Sequence, residues 1–79
     1  MKYIYAYRLP YSKDGLIEVE ILDEAEVYDR LHEKIGLVNQ FSSVEKLIQF
    51  IDEYQIFDLS GGEAITVATL SGEILFQAG

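Results

Sequence analysis

The chain has 79 residues, 49% of them hydrophobic, with Lys+Arg 6 against Asp+Glu 14 for a formal net charge of −8. That length holds one domain, residues 1–79, of globular and not disordered composition. The absence of cysteine excludes a disulfide framework, a thiol nucleophile and a thiolate metal site. The acidic balance argues against direct nucleic-acid binding, which needs clustered Lys and Arg. No apolar run approaches the ~20 residues of a membrane span, and the N-terminus lacks a secretory apolar segment, so no membrane contact and a cytoplasmic location are expected.

Residues 2–11 are rich in strand-forming aromatics, with Tyr3, Tyr5, Tyr7, Leu9 and Tyr11 on one parity. Residues 16–22 alternate, placing Ile17, Val19 and Ile21 on one face and Glu18 and Glu20 on the other. Asp14-Gly15 between them signals a hairpin. A two-residue turn there would set the tyrosine face against the glutamates. A three-residue loop with Gly15 in the left-handed position instead pairs Tyr7 with Ile21, Leu9 with Val19 and Tyr11 with Ile17, and brings Arg8 opposite Glu20. The favourable matches on both faces predict the second register. Pro10, which cannot donate a ladder bond, points to an edge or a bend.

Asp23 with Glu26 predicts an N-terminal cap, and Val27, Tyr28, Leu31 and Ile35 follow at helical spacing. A helix over 24–35 is expected, with Gly36 just beyond it. After a connector at 37–40, Ser42 with Glu45 predicts a second cap. Val44, Leu47, Ile48, Ile51 and Tyr54 then form the apolar stripe of a helix over 43–54. Ile56, Phe57 and Leu59 read as a buried exit segment, and Ser60-Gly61-Gly62 as a break. Two further strands, 64–70 and 73–78, flank Ser71-Gly72, which suits a two-residue hairpin. That register pairs Thr69, Val67 and Ile65 with Ile74, Phe76 and Ala78 on the core face, and Ala68 with Leu75 and Thr66 with Gln77 outside. The order β-β-α-α-β-β predicts an α+β fold, a four-stranded, largely antiparallel sheet with both helices packed on one face. The strand order is left open.

No constellation for catalysis emerges. His32, the single histidine, follows Leu31 with Asp29 three residues before it. Two ligands are too few for a metal site, and the histidine reads as solvent-facing. Ser60-Gly61-Gly62-Glu63 follows a helix and enters a strand, the reverse of a phosphate-binding loop. The serines lie at turns and caps, outside any nucleophile-elbow pattern. The tyrosine run could stack bases, but only Lys2, Arg8 and Lys13 are near it, so packing beneath the helices is the expected role. No catalytic residue, cofactor or metal is therefore assigned.

Charge is distributed unevenly. Residues 1–13 carry Lys2, Arg8 and Lys13 and no acid, whereas 14–33 carry eight carboxylates against Arg30. Glu18, Glu20, Glu26, Asp29 and Glu33 form the candidate partner-binding face, directed at a basic protein surface. Asp29 and Glu33 lie about 6 Å apart along a helix axis, within a factor of about two of the 3.4 Å phosphate spacing of a DNA strand. Acidity serving solubility alone is the competing reading. A second candidate surface is the outer sheet face, where Ile4, Leu16, Leu22, Leu70 and Leu75 would mediate a homodimer.

The opening Met-Lys-Tyr-Ile-Tyr, with Asp14-Gly15 and the strand ending in Leu22-Asp23, resembles the start of HicB-type antitoxins over residues 1–23. The continuation departs, with two consecutive helices where that family places another strand, and no residue role is carried over. In size and acidity the chain is similar to phage-encoded inhibitors, anti-CRISPR proteins and DNA mimics among them, a similarity of type and not of sequence. The expected function is a small, acidic, non-enzymatic interaction domain that inhibits or regulates a partner by occluding its basic, nucleic-acid-binding surface. The alternative is a homodimeric structural or regulatory protein, antitoxin-like, associating through the outer sheet face.

Overall fold

The structure, a computed structural model, describes residues 1–9, 13–35, 41–55 and 63–78. The expectations for Pro10, Tyr11, Gly36, the connector at 37–40, the segment Ile56, Phe57 and Leu59, and the break at Ser60-Gly61-Gly62 lie outside the described residues. The elements are β1 (Lys2–Arg8), β2 (Ile17–Asp23), α1 (Glu24–Ile35), α2 (Val44–Tyr54), β3 (Ile65–Thr69) and β4 (Ile74–Ala78). The four strands form one antiparallel sheet in the order β2-β1-β3-β4. The fold is α+β, as the element order implied.

One face of the sheet and both helices share the core. Tyr3, Tyr5, Leu22, Ile65, Val67 and Phe76 from the strands meet Val27, Leu31, Val44, Leu47, Ile48 and Ile51 from the helices. The stripe on α2 is buried at Val44, Leu47, Ile48 and Ile51, as its helical spacing requires.

α1 starts directly from β2, and the Asp23 Oδ1 accepts from the Glu26 amide at 2.9 Å. α2 is capped one residue later than the sequence pattern placed it. Ser43, not Ser42, is extended (φ −159°, ψ 162°), and its hydroxyl oxygen accepts from Lys46 N at 3.2 Å. The two helices are tied at their N-terminal ends, where Val44 N donates to Glu24 Oε1 at 3.1 Å and Phe41 N to the Tyr28 hydroxyl at 3.1 Å.

The first hairpin departs from the expected register. Tyr3 pairs with Leu22, Tyr5 with Glu20, Tyr7 with Glu18 and Arg8 with Ile17. Leu9 N donates to Leu16 O at 3.1 Å, which carries the same register one step beyond the Arg8–Ile17 pair. Gly15 does adopt a left-handed conformation, φ +64°. The parity is thus the one that sets tyrosines against glutamates, and Arg8 faces Ile17 instead of Glu20.

The second hairpin is correct at its far end and shifted at its turn. Ile65 pairs with Ala78, Thr66 with Gln77 and Val67 with Phe76, but Ala68 pairs with Ile74. The turn spans Leu70, Ser71 and Gly72, with Gly72 N donating to Thr69 O at 2.9 Å and Gly72 at φ +94°. Leu75 is the extra residue of a bulge and reaches the core, while Ile74 turns outward.

Candidate interaction surface

The inverted parity of β2 gives this strand two unlike sides. On the helix side, the Tyr7 hydroxyl donates to Glu18 Oε2 at 3.1 Å. Arg30 on α1 grips Glu20 with two bonds, Nη1 to Oε2 at 2.7 Å and Nη2 to Oε1 at 3.3 Å. Its guanidinium carbon also lies 6.0 Å from the centroid of the Tyr5 ring. A bidentate pair of this kind fixes orientation as well as charge. Glu20 is therefore the tether between β2 and α1, with its charge engaged inside the molecule.

A cleft of about 550 Å³ runs beside this tether, lined by Tyr5, Tyr7, Arg30, Glu33 and Lys34. Lys34 pairs with Glu63, a contact across elements that sequence spacing gave no means of finding. The buried Tyr5 hydroxyl has no hydrogen-bond partner among the described residues. Burial, with the Glu63 carboxylate nearby, pushes its ionisation up to about 12.

Glu26, Asp29 and Glu33 are exposed on the outward side of α1, and no salt bridge reaches them among the described residues. Glu18 is exposed at the adjoining edge. The five carboxylates of the expected acidic face therefore divide. Four remain open to solvent, and Glu20 is held by Arg30.

The opposite face of the sheet is covered by neither helix. On β2 it presents Ile17, Val19 and Ile21, exposed by 61%, 61% and 63%. The register links Ile21, Ile4, Ala68 and Ile74 into one apolar row across all four strands. Val19, Ala6, Thr66 and Gln77 form the next row. Leu70 and Leu16 are also exposed, Leu70 in the turn after β3 and Leu16 just before β2. Two residues expected on this surface are elsewhere: Leu22 is buried in the core, and Leu75 packs against it. The parity of β2 removes the first, and the bulge removes the second. Ile17, Val19, Ile21 and Ile74, all expected inside, take their place.

His32 also departs from expectation. Its ring stacks on Tyr28 at 4.4 Å and meets the edge of Phe41 at 6.2 Å, with Nε2 buried and unpartnered among the described residues. It belongs to an aromatic seam that continues through Phe50 to Tyr54. Among the described residues no group of three or more His, Asp or Glu is placed to hold a metal ion. No helix among them is long and apolar enough to cross a membrane.

Comparison with protein families, with curated proteins and with solved structures finds no match for this chain. The resemblance of residues 1–23 to HicB-type antitoxins has no counterpart among those comparisons.

Proposed function

We propose that this chain is a small non-enzymatic interaction domain that binds a basic surface of a partner protein along its β2 and α1 side. The observation that carries this reading is the placement of open carboxylates, Glu18 on β2 and Glu26, Asp29 and Glu33 on α1, on two elements locked together by the Glu20–Arg30 pair. A rigid support holds like charges at fixed spacing, which steers association and fixes register with a cationic partner. Occupying a basic groove in this way would exclude nucleic acid from it, so inhibition by occlusion is the mechanism the reading implies.

The test is capture of partners from native-host lysate at low and high salt, read by mass spectrometry. The wild type is compared with a variant carrying Glu26→Lys, Asp29→Lys and Glu33→Lys. A basic protein held at low salt, released at high salt and absent with the variant is the expected outcome. Equal capture by the variant, or recovery of the bait alone, would overturn the reading.

A second reading, a homodimer packed face to face through the outer sheet surface, is favoured by the exposed side chains of Ile17, Val19, Ile21 and Ile74 on that face. Ile74→Glu would then give folded monomers, and an unchanged mass in light scattering would count against it.

A further inference from the structure

β2 lies at an edge of the sheet, and its backbone polarity follows from the ladder. Leu9 N donates to Leu16 O, and Arg8 N donates to Ala64 O on the other side of β1. Odd residues of β1 therefore face β2, and even residues face β3. By the alternation of an antiparallel ladder, Glu18, Glu20 and Leu22 bond to β1, while the N–H and C=O groups of Ile17, Val19 and Ile21 point away from the sheet. The same three residues carry the exposed apolar side chains of the outer face. Among the described residues, unpaired backbone groups and uncovered β-branched side chains thus coincide on one strand, which is what strand addition uses.

The charges on the strand decide which segment fits. An antiparallel pair of β2 strands from two copies has its two-fold axis normal to the sheet, so equivalent faces lie on the same side. In every such register the glutamate side of one copy meets the glutamate side of the other. Like charges directly opposite each other destabilise a strand pair, so the edge is set against its own copy. A strand with cations at those positions reverses the sign.

We propose that the free edge of β2 accepts an extended segment of a partner protein in which β-branched apolar residues alternate with lysine or arginine. The apolar residues extend the outer surface beside Ile17, Val19 and Ile21, and the cations meet Glu18 and the acidic side of α1. The backbone groups of Ile17, Val19 and Ile21 supply the main-chain bonds. This rests on the reading that the partner is basic, and adds the binding mode and the pattern of the bound segment.

The experiment uses capped nine-residue peptides of alternating lysine and valine, titrated into the full chain by calorimetry, with amide hydrogen exchange followed by NMR. Saturable binding should slow exchange at Ile17, Val19 and Ile21 by about tenfold or more, while Glu18 and Glu20, already bonded to β1, change little. Methylating the peptide nitrogens that face β2, or substituting Val19→Pro, should weaken binding by about tenfold or more. Proline is tolerated at an outward-facing edge position, and circular dichroism checks that the variant is folded. Glu18→Lys should weaken binding to a similar degree.

A peptide with its lysines in one block, bound as tightly and without protection of the odd residues, would overturn strand addition and leave the basic-partner reading standing. Undiminished binding of the methylated peptide would do the same. Failure of every cationic peptide to bind at low salt would sink both. Protection of Ile17, Val19 and Ile21 in the chain alone, with a dimer's mass, would give the edge to a second copy and overturn the proposal.

Discussion

Two neighbouring tyrosines on β1 occupy similar depths and have opposite standing. The Tyr3 hydroxyl donates to Glu45 Oε1 at 2.9 Å, whereas that of Tyr5 is buried with no partner among the described residues. Tyr3→Phe should cost about 1 kcal/mol, the usual net value of a lost hydrogen bond. Tyr5→Phe should be neutral or stabilising by up to about 1 kcal/mol, because it deletes a desolvated group that has no partner among the described residues. Urea denaturation of both variants distinguishes the two, and a large loss for Tyr5→Phe would contradict the assignment. Burial raises both phenols to about 12 from the ordinary tyrosine value of 10.0. In the interval between, the unfolded chain has released protons that the folded chain keeps, so stability falls as pH rises. The urea midpoint should show no loss from these groups below about pH 10 and should drop between about 10 and 12, less steeply in Tyr5→Phe.

At the scale of elements, caps and parity separate what the sequence reveals from what it hides. Both helices and all four strands are legible, because 3.6-residue and two-residue periodicities differ and Gly15 and Gly72 mark the turns. The cap of α2 was not legible to the residue, since Ser42 and Ser43 both suit the role and only backbone geometry separates them. Ser43→Ala should cost about 1 kcal/mol and Ser42→Ala only a few tenths, measured by thermal or urea unfolding. β2 is the instructive error. Alternation identifies two faces, and the apolar one was assigned to the core by the ordinary rule. The rule fails because the partners of the glutamates, Arg30 and Tyr7, lie ten and eleven residues away in sequence and make the polar face internally satisfied. Full burial of a valine or isoleucine side chain is worth about 1.5–3 kcal/mol, so leaving three of them on an uncovered face forgoes substantial stability. Alternation alone therefore does not say which face of a strand is buried when its polar side finds partners elsewhere in the chain.

For the whole molecule, the net charge of −8 is legible at once, but its placement is not. The acidic residues were expected as one face; the fold instead engages Glu20 and Glu63 in ion pairs and leaves Glu18, Glu26, Asp29 and Glu33 outward. The strand order was equally hidden, because both hairpins are local while the contact that joins them is not. β1 pairs with β3, Tyr5 opposite Val67, at the centre of the sheet. During synthesis at about 5–20 residues per second, β1 emerges roughly 3–12 s before the strand that completes it. For that time the β1–β2 hairpin has two open edges, and its tyrosine face lacks α2 and β3. A nascent chain at this stage is a candidate for chaperone capture or premature pairing, and the outward edge of β2, which we propose as a docking strand, exists before the fold that supports it.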